Sequence, residues 1–233
     1  MMMDIFSSFD PNSSLIFANL SSLTFWMLTF MTLMTIFPSL WVSFSMNSTL
    51  YNYIYSIMNA QSSRTMNIHI KGNNWILVSL FIMIMSLNMM GLTPYTFSIT
   101  SHLYFSLILG LPLWLSLLMS AAMSHPKKTI AHLLPSGAPT WLNPFLVITE
   151  SLSITVRFIT LSFRLAANLS AGHILLGLMG FASSSSFFLS CPQFMFIILI
   201  QMGYMIFELG ICFIQAYIFC LLISLYSDDH PNF

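Results

Sequence analysis

Charge is what this sequence has least of. Only 5% of its 233 residues are charged: six basic (Arg64, Lys71, Lys127, Lys128, Arg157, Arg164) and six acidic (Asp4, Asp10, Glu150, Glu208, Asp228, Asp229). A soluble domain carries about 25%, whereas 57% of this chain is hydrophobic, so it reads as an integral membrane protein. A zero net charge built from so few groups argues against nucleic acid or an anionic surface as a partner. Cysteine is scarce too. Cys191, Cys212 and Cys220 show neither CxxC nor metal-type spacing and read as small apolar helix residues. The 19 methionines lack the helical spacing of a soft-metal site and read as lipid-facing and packing residues. No Gly-rich phosphate loop or nucleophile triad is present, and His125 and His132 border a basic loop without the paired intrahelical spacing of a bis-histidine haem site. The expectation is therefore no cofactor and no metal. The opening MMMDIFSSFDPN shows neither a secretory signal nor an Arg-rich transit peptide, which suggests insertion where the chain is made.

What is abundant is long apolar sequence. Tracts lie at about residues 14–46, 75–97, 103–124, 141–181 and 187–227 of one transmembrane domain, 1–233. A bilayer core of about 30 Å takes about 20 helical residues, so the first three suit spanning helices, with local breaks expected at Pro38, Pro94 and Pro112. The basic loops around Arg64 and Lys71, and around Lys127 and Lys128, belong on one side of the membrane, as a two-helix hairpin between them permits. The last two tracts are too long for ordinary spans. From Gln193 to Tyr226 there are 34 residues with no proline and one charge. As a helix they reach about 51 Å, which fits the hydrocarbon only at a tilt of roughly 54°, steeper than the usual range. Either Gly172, Gly177 and Gly180 break the fourth tract and Gly203 or Gly210 the fifth, or both are long helices. The favoured fold is all-α: spanning helices plus a hairpin of two long, steeply tilted helices.

Polar residues inside the two long tracts fall on stripes. Glu150, Arg157 and Arg164 recur every seven residues, and so do Gln201, Glu208 and Gln215. Seven steps of about 100° return to within about 20° of the start, so each set shares one helical face. Ser153, Thr160 and Asn168 fall near the first stripe. Two such helices hide their stripes from lipid by facing a common cavity or partner, and groups of this kind line proton or ion paths. Glu150 and Arg157 have a plainer reading, as an ion pair locking helix packing. Arg164 does not, because no acid lies within a helical turn of it. A guanidinium at mid-membrane costs roughly 2.5–3.5 kcal/mol on insertion scales, and arginine cannot escape by losing its proton. His173, nine residues beyond Arg164, falls on the opposite side of an ideal helix, so periodicity leaves it off the stripe.

The run IAHLLPSGAPTWLNPFLVITESLSITVRFITLSFRLAANLSAGH, followed by FELGICFIQAYIFCLLISLY, resembles the subunit a (subunit 6) family of mitochondrial F-type ATP synthases. The likeness extends to FSSFDP, NMMGLTPYTF and LPLWLS, and its RLxAN-x3-GH and IQAY motifs occur in the expected order. The resemblance implies residence in the mitochondrial inner membrane as a multi-pass, non-catalytic proton channel of the membrane sector. Its partners would be a ring of carboxyl-bearing c subunits, other membrane and peripheral-stalk subunits, and lipid. It also implies residue roles: Arg164 facing the ring, Glu150 on the matrix-side path, His173 and Glu208 on the intermembrane-side path, and Asn168 and Gln215 as polar neighbours of the arginine. Relatives carry an acid and a histidine exchanged between the positions of His173 and Glu208. No role passes to Arg157. The alternatives are an antiporter-like subunit of another respiratory complex, which would place lysines inside helices, and a secondary transporter, which would show repeated halves. A purely structural subunit would have no need of Glu208.

Overall fold

The computed structural model describes residues 9, 27, 46–93, 98–134, 140–228 and 230. The spanning helix expected at about 14–46, and the breaks at Pro38 and Pro94, lie outside them. Six α-helices are described: α1 (Met46–Ser62), α2 (Asn73–Gly91), α3 (Leu103–Ser124), the short α4 (Pro126–His132), α5 (Asn143–Leu189) and α6 (Cys191–Asp228). Turns of 3-10 helix lie at Met66–His69, Ile99–Ser101 and Thr140–Leu142. Among the described residues there is no strand, and α2, α3, α5 and α6 are each long and apolar enough to cross a membrane.

Local chemistry explains where the helices start. Gly72, at φ +84, supplies the left-handed turn that opens α2. Pro126 opens α4 and Pro144 lies in the first turn of α5, where a missing N–H costs nothing. α1 covers a stretch to which sequence periodicity assigned no element, since Asn, Ser and Tyr interrupt its apolar positions. Polar side chains fix it to α2: Asn74 Nδ2 donates to Asn59 Oδ1 at 2.8 Å and Ser62 Oγ donates to Asn74 Oδ1, while Asn73 Nδ2 donates to Asn67 Oδ1 of the 3-10 turn between the two helices.

The two long tracts form the expected hairpin, with limits that differ from the sequence reading. α5 has 47 residues and runs past position 181, unbroken at Gly172, Gly177 or Gly180. α6 has 38 residues and is unbroken at Gly203 or Gly210. At 1.5 Å per residue these are about 70 and 57 Å long. Along the polar run at the end of α5 the hydroxyls of Ser183, Ser184, Ser185 and Ser186 each donate to the carbonyl three residues earlier, so none is left unsatisfied against the apolar surroundings. The turn is the single extended residue Ser190, at φ −161 and ψ 134. The Phe187 ring packs edge-on against Phe188 and Phe194 around it, at 5.4 and 5.2 Å. Pro112 sits within α3 and does not end it.

The core lies where α2 packs on α6 and α6 on α5, with α3 closing over α5. Leu161, Leu165 and Leu169 of α5, four apart, meet Cys212, Ala216, Phe219 and Cys220 of α6, with Leu77, Val78, Phe81 and Ile84 of α2 behind them. Trp114 of α3 stacks on Phe158 of α5 at 5.5 Å. The outer faces are apolar too: Phe145, Ile148, Leu152, Val156 and Phe163 on α5, and Leu199, Met202, Ile206 and Phe207 on α6, are all exposed. Such surfaces suit lipid and protein partners, not water.

Candidate functional site

The hairpin sorts its polar residues into two groups, one outside and one inside. On the outside is Arg164. Its side chain is exposed and has no hydrogen bond or ion pair among the described residues, so nothing in the described chain neutralises it. Ala167 and Ala171 lie exposed beside it, leaving room for another helix to approach the guanidinium closely. One turn further along α5, Asn168 Nδ2 donates to Gln215 Oε1 of α6 at 3.0 Å. That bond ties the two stripes together next to the arginine.

Glu208 is inside, only 2% exposed. Its carboxyl rests on Gly172, where an added Cβ would stand 2.7 Å from Cδ and both oxygens. The close approach gives the glycine of the RLAANLSAGH segment a reason: it opens the space the carboxyl fills, and it does not break the helix. The Tyr204 hydroxyl, one turn before Glu208, donates to Oε1, while Oε2 is buried without a partner. His173 follows Gly172 and is half-buried, its ring edge-on to Phe9 at 6.2 Å and its Nε2 buried without a partner. The structure thus brings Glu208 against the residue beside His173, although no bond joins the two side chains among the described residues. Periodicity along α5 alone could not see this, because it results from the fold of the hairpin.

The remaining expected residues lie towards the start of α5. Glu150 is half-buried and accepts from Ser153 Oγ at 3.3 Å, while Arg157 is exposed. No Glu150–Arg157 ion pair is present among the described residues, which removes the simplest packing role for that acid. Gln201 is half-buried and Gln215 is 3% exposed. Sequence reasoning missed three participants. Tyr204 was findable as the residue four before Glu208, on the same helical face. Gly172 had been weighed only as a candidate helix break. Asn88 of α2, 0% exposed, accepts from the Cys212 thiol through its backbone carbonyl at 3.8 Å. Among the described residues no cluster of His, Cys, Asp or Glu is suited to a metal ion.

These features define a class: a multi-pass helical membrane protein with an acid sealed inside a long hairpin and an unneutralised arginine on its outer face. Intramembrane ionisable groups of this kind mark paths for charge across a membrane. Residues 13–228 match the sequence model of the ATP synthase A chain family. The chain is 40% identical to ATP synthase subunit a of Albinaria caerulea over 99% of its own length and 100% of that protein's. It is 35% identical to that of Locusta migratoria and 36% identical to that of Drosophila melanogaster, covering 98% of this chain and 99% of each relative. The chain belongs to the ATP synthase A chain family.

Proposed function

We propose that this chain is the proton-conducting stator subunit of the membrane sector of an F-type ATP synthase in the mitochondrial inner membrane. It performs no bond-making chemistry itself. It passes protons through two offset half-channels to and from the carboxyls of a c-subunit ring, held in place by other membrane and peripheral-stalk subunits. The observation that carries this reading is Arg164: a permanent cation on an exposed helix face with no partner in the described chain. In this reading its counter-charge is a carboxyl of another protein.

The physics follows from that placement. A guanidinium close to an arriving carboxyl favours its ionised form, so the carboxyl releases its proton there. The same fixed charge repels a proton taking a direct route between half-channels. That barrier matters because one charge crossing 100 mV releases about 2.3 kcal/mol. Asn168 and Gln215, bonded to each other beside Arg164, fix the polar floor on which the guanidinium works. Glu208, with Tyr204 and with His173 close by in sequence to its Gly172 neighbour, belongs to the intermembrane-side path, and Glu150 to the matrix-side path. Nothing favours the antiporter-like alternative: Lys71 precedes α2, and Lys127 and Lys128 lie in the short α4.

The test is affinity purification of the tagged chain from gently solubilised membranes. A proteolipid ring and a soluble ATPase head are expected in stoichiometric amounts. Purification with a respiratory complex and without the ring would overturn the assignment.

A further inference from the structure

A sealed acid needs a way for protons to reach it, and Glu208 is only 2% exposed. Among the described residues one hydrogen bond reaches its carboxyl, from the Tyr204 hydroxyl to Oε1. The other oxygen, Oε2, is buried without a partner, and Gly172 closes the carboxyl off on the α5 side. Tyr204 itself is only half-buried, so the phenol spans from the open side of the hairpin to the acid. It lies one turn nearer the hairpin turn at Ser190 than Glu208 does. Gln201, the outermost member of the α6 stripe, is half-buried just under one turn nearer still and on the same face. Polar side chains thus step inward at 201, 204 and 208 along an otherwise apolar helix. The exposed ring of Phe207 flanks the phenol at 6.2 Å. A phenol both donates and accepts, which a phenylalanine filling the same space could not do.

We propose that the Tyr204 hydroxyl is the proton relay into Glu208, and that Oε1 is the oxygen at which the proton enters. This rests on the proton-channel reading and deepens it, by fixing the atom through which the sealed acid is loaded. With Glu208 ionised, the Tyr204 O–H bond breaks as its proton forms a new O–H bond on Oε1. A hydronium ion at the Gln201 turn gives a proton to the phenolic oxygen in the same step and becomes water. No phenolate is left, and the tyrosine ends as it began. A half-turn of the carboxyl about its Cγ–Cδ bond, a torsion with broad wells, then carries the proton inward to the position Oε2 held. The other oxygen is thereby presented to Tyr204. Gly172 leaves room for that half-turn, since an added Cβ would stand 2.7 Å from both oxygens.

The experiment measures passive proton conduction at neutral pH through the assembled complex in sealed vesicles, for Tyr204→Phe, Tyr204→Gln and Tyr204→His. Phenylalanine keeps the shape and loses the hydroxyl, so conduction should fall about a hundredfold, the lower end of what a positioned proton-transfer group contributes. Glutamine should fall as far, because its amide can bond the carboxylate but passes no proton. Histidine should stay within about tenfold of the parent, since imidazole takes a proton on one nitrogen and releases one from the other. Tyr204→Phe within about twofold of the parent overturns the proposal. So does Tyr204→Gln at the parent rate, which would make the bond a mere prop for the carboxyl, and so does Tyr204→His no better than Tyr204→Gln. That last pair decides the case on its own if the phenylalanine variant fails to assemble. Tyr204→Phe added to Glu208→Gln should cost nothing further, and an additional loss would place Tyr204 outside this relay. Glu208→Gln also separates this inference from the one beneath it. If it conducts at the parent rate, the role of Glu208 fails; if it is impaired while Tyr204→Phe conducts like the parent, only the relay fails.

Discussion

Replacing Gly172 by alanine adds one methyl group at the tightest point of the site. The new Cβ would lie 2.7 Å from the Glu208 carboxyl, about 0.7 Å inside ordinary van der Waals contact. The backbones resist parting, because Leu165 and Leu169 interlock with Cys212 and Ala216 in the buried core immediately beside the contact. The carboxyl must yield instead. An off-rotamer shift costs about 0.5–1.5 kcal/mol, and loss of the Tyr204 hydrogen bond costs about 0.5–1.5 kcal/mol more. Since about 1.4 kcal/mol is a factor of ten in rate, and a misplacement of about 1 Å alone can cost a hundredfold, conduction should fall about ten- to a hundredfold. Assembly should survive, because alanine is about 1 kcal/mol better than glycine inside a helix. The assay is passive proton conduction through the membrane sector in sealed vesicles, normalised to assembled complex. Gly180→Ala is the control: it lies on the same helix with nothing within 4 Å of its added Cβ, and should conduct like the parent. Conduction within about twofold of the parent in assembled Gly172→Ala would refute the placement of Glu208 in the path.

Glu150→Gln should slow proton transfer on the matrix side and leave the complex assembled; loss of the assembled subunit would point to a packing role for that acid. His173→Glu and Glu208→His should each impair conduction, and the double exchange should recover part of it, since each single change leaves two like groups near Gly172. Strictly additive losses would separate the two residues. His230, outside the spanning helices, is held against Ser120 Oγ by a 3.2 Å contact, and burial, then the charge of His125, lowers its pKa below 6.5. An undocked His230 takes up a proton as pH falls through 6.5 while the docked one resists, so this contact is at full strength above that pH and weakens below it. Protection from hydrogen exchange at the end of α6, taken relative to the free-peptide rate at each pH, should therefore fall between about pH 7 and pH 5.5, and His230→Asn should flatten the response. A profile already flat in the parent would contradict it.

Much of this architecture is legible in the sequence because hydrocarbon imposes so few solutions. The 103–124 tract is α3 itself, and the arithmetic of tract length against bilayer thickness led to the hairpin. Heptad spacing placed Glu208 and Gln215 on one face, and both are buried where α6 meets its neighbours. What stayed hidden depends on tertiary contact or on short-range polar bonding. The serines at 183–186 interrupt the apolar tract, yet α5 runs on through them to Leu189 with their hydroxyls bonded back to its carbonyls. Gly172 looks like a break in one dimension and is a seat for a carboxyl in three. Asn88 is one polar residue in an apolar tract, and only the fold shows it wholly buried where α2 meets α6.

The central claim is that Arg164 works on a carboxyl carried by another chain, and Arg164→Ala in sealed, energised vesicles tests it most directly. The complex should assemble, yet ATP synthesis driven by an imposed proton gradient should disappear. Assembled Arg164→Ala complexes that synthesise ATP near the parent rate would contradict the account.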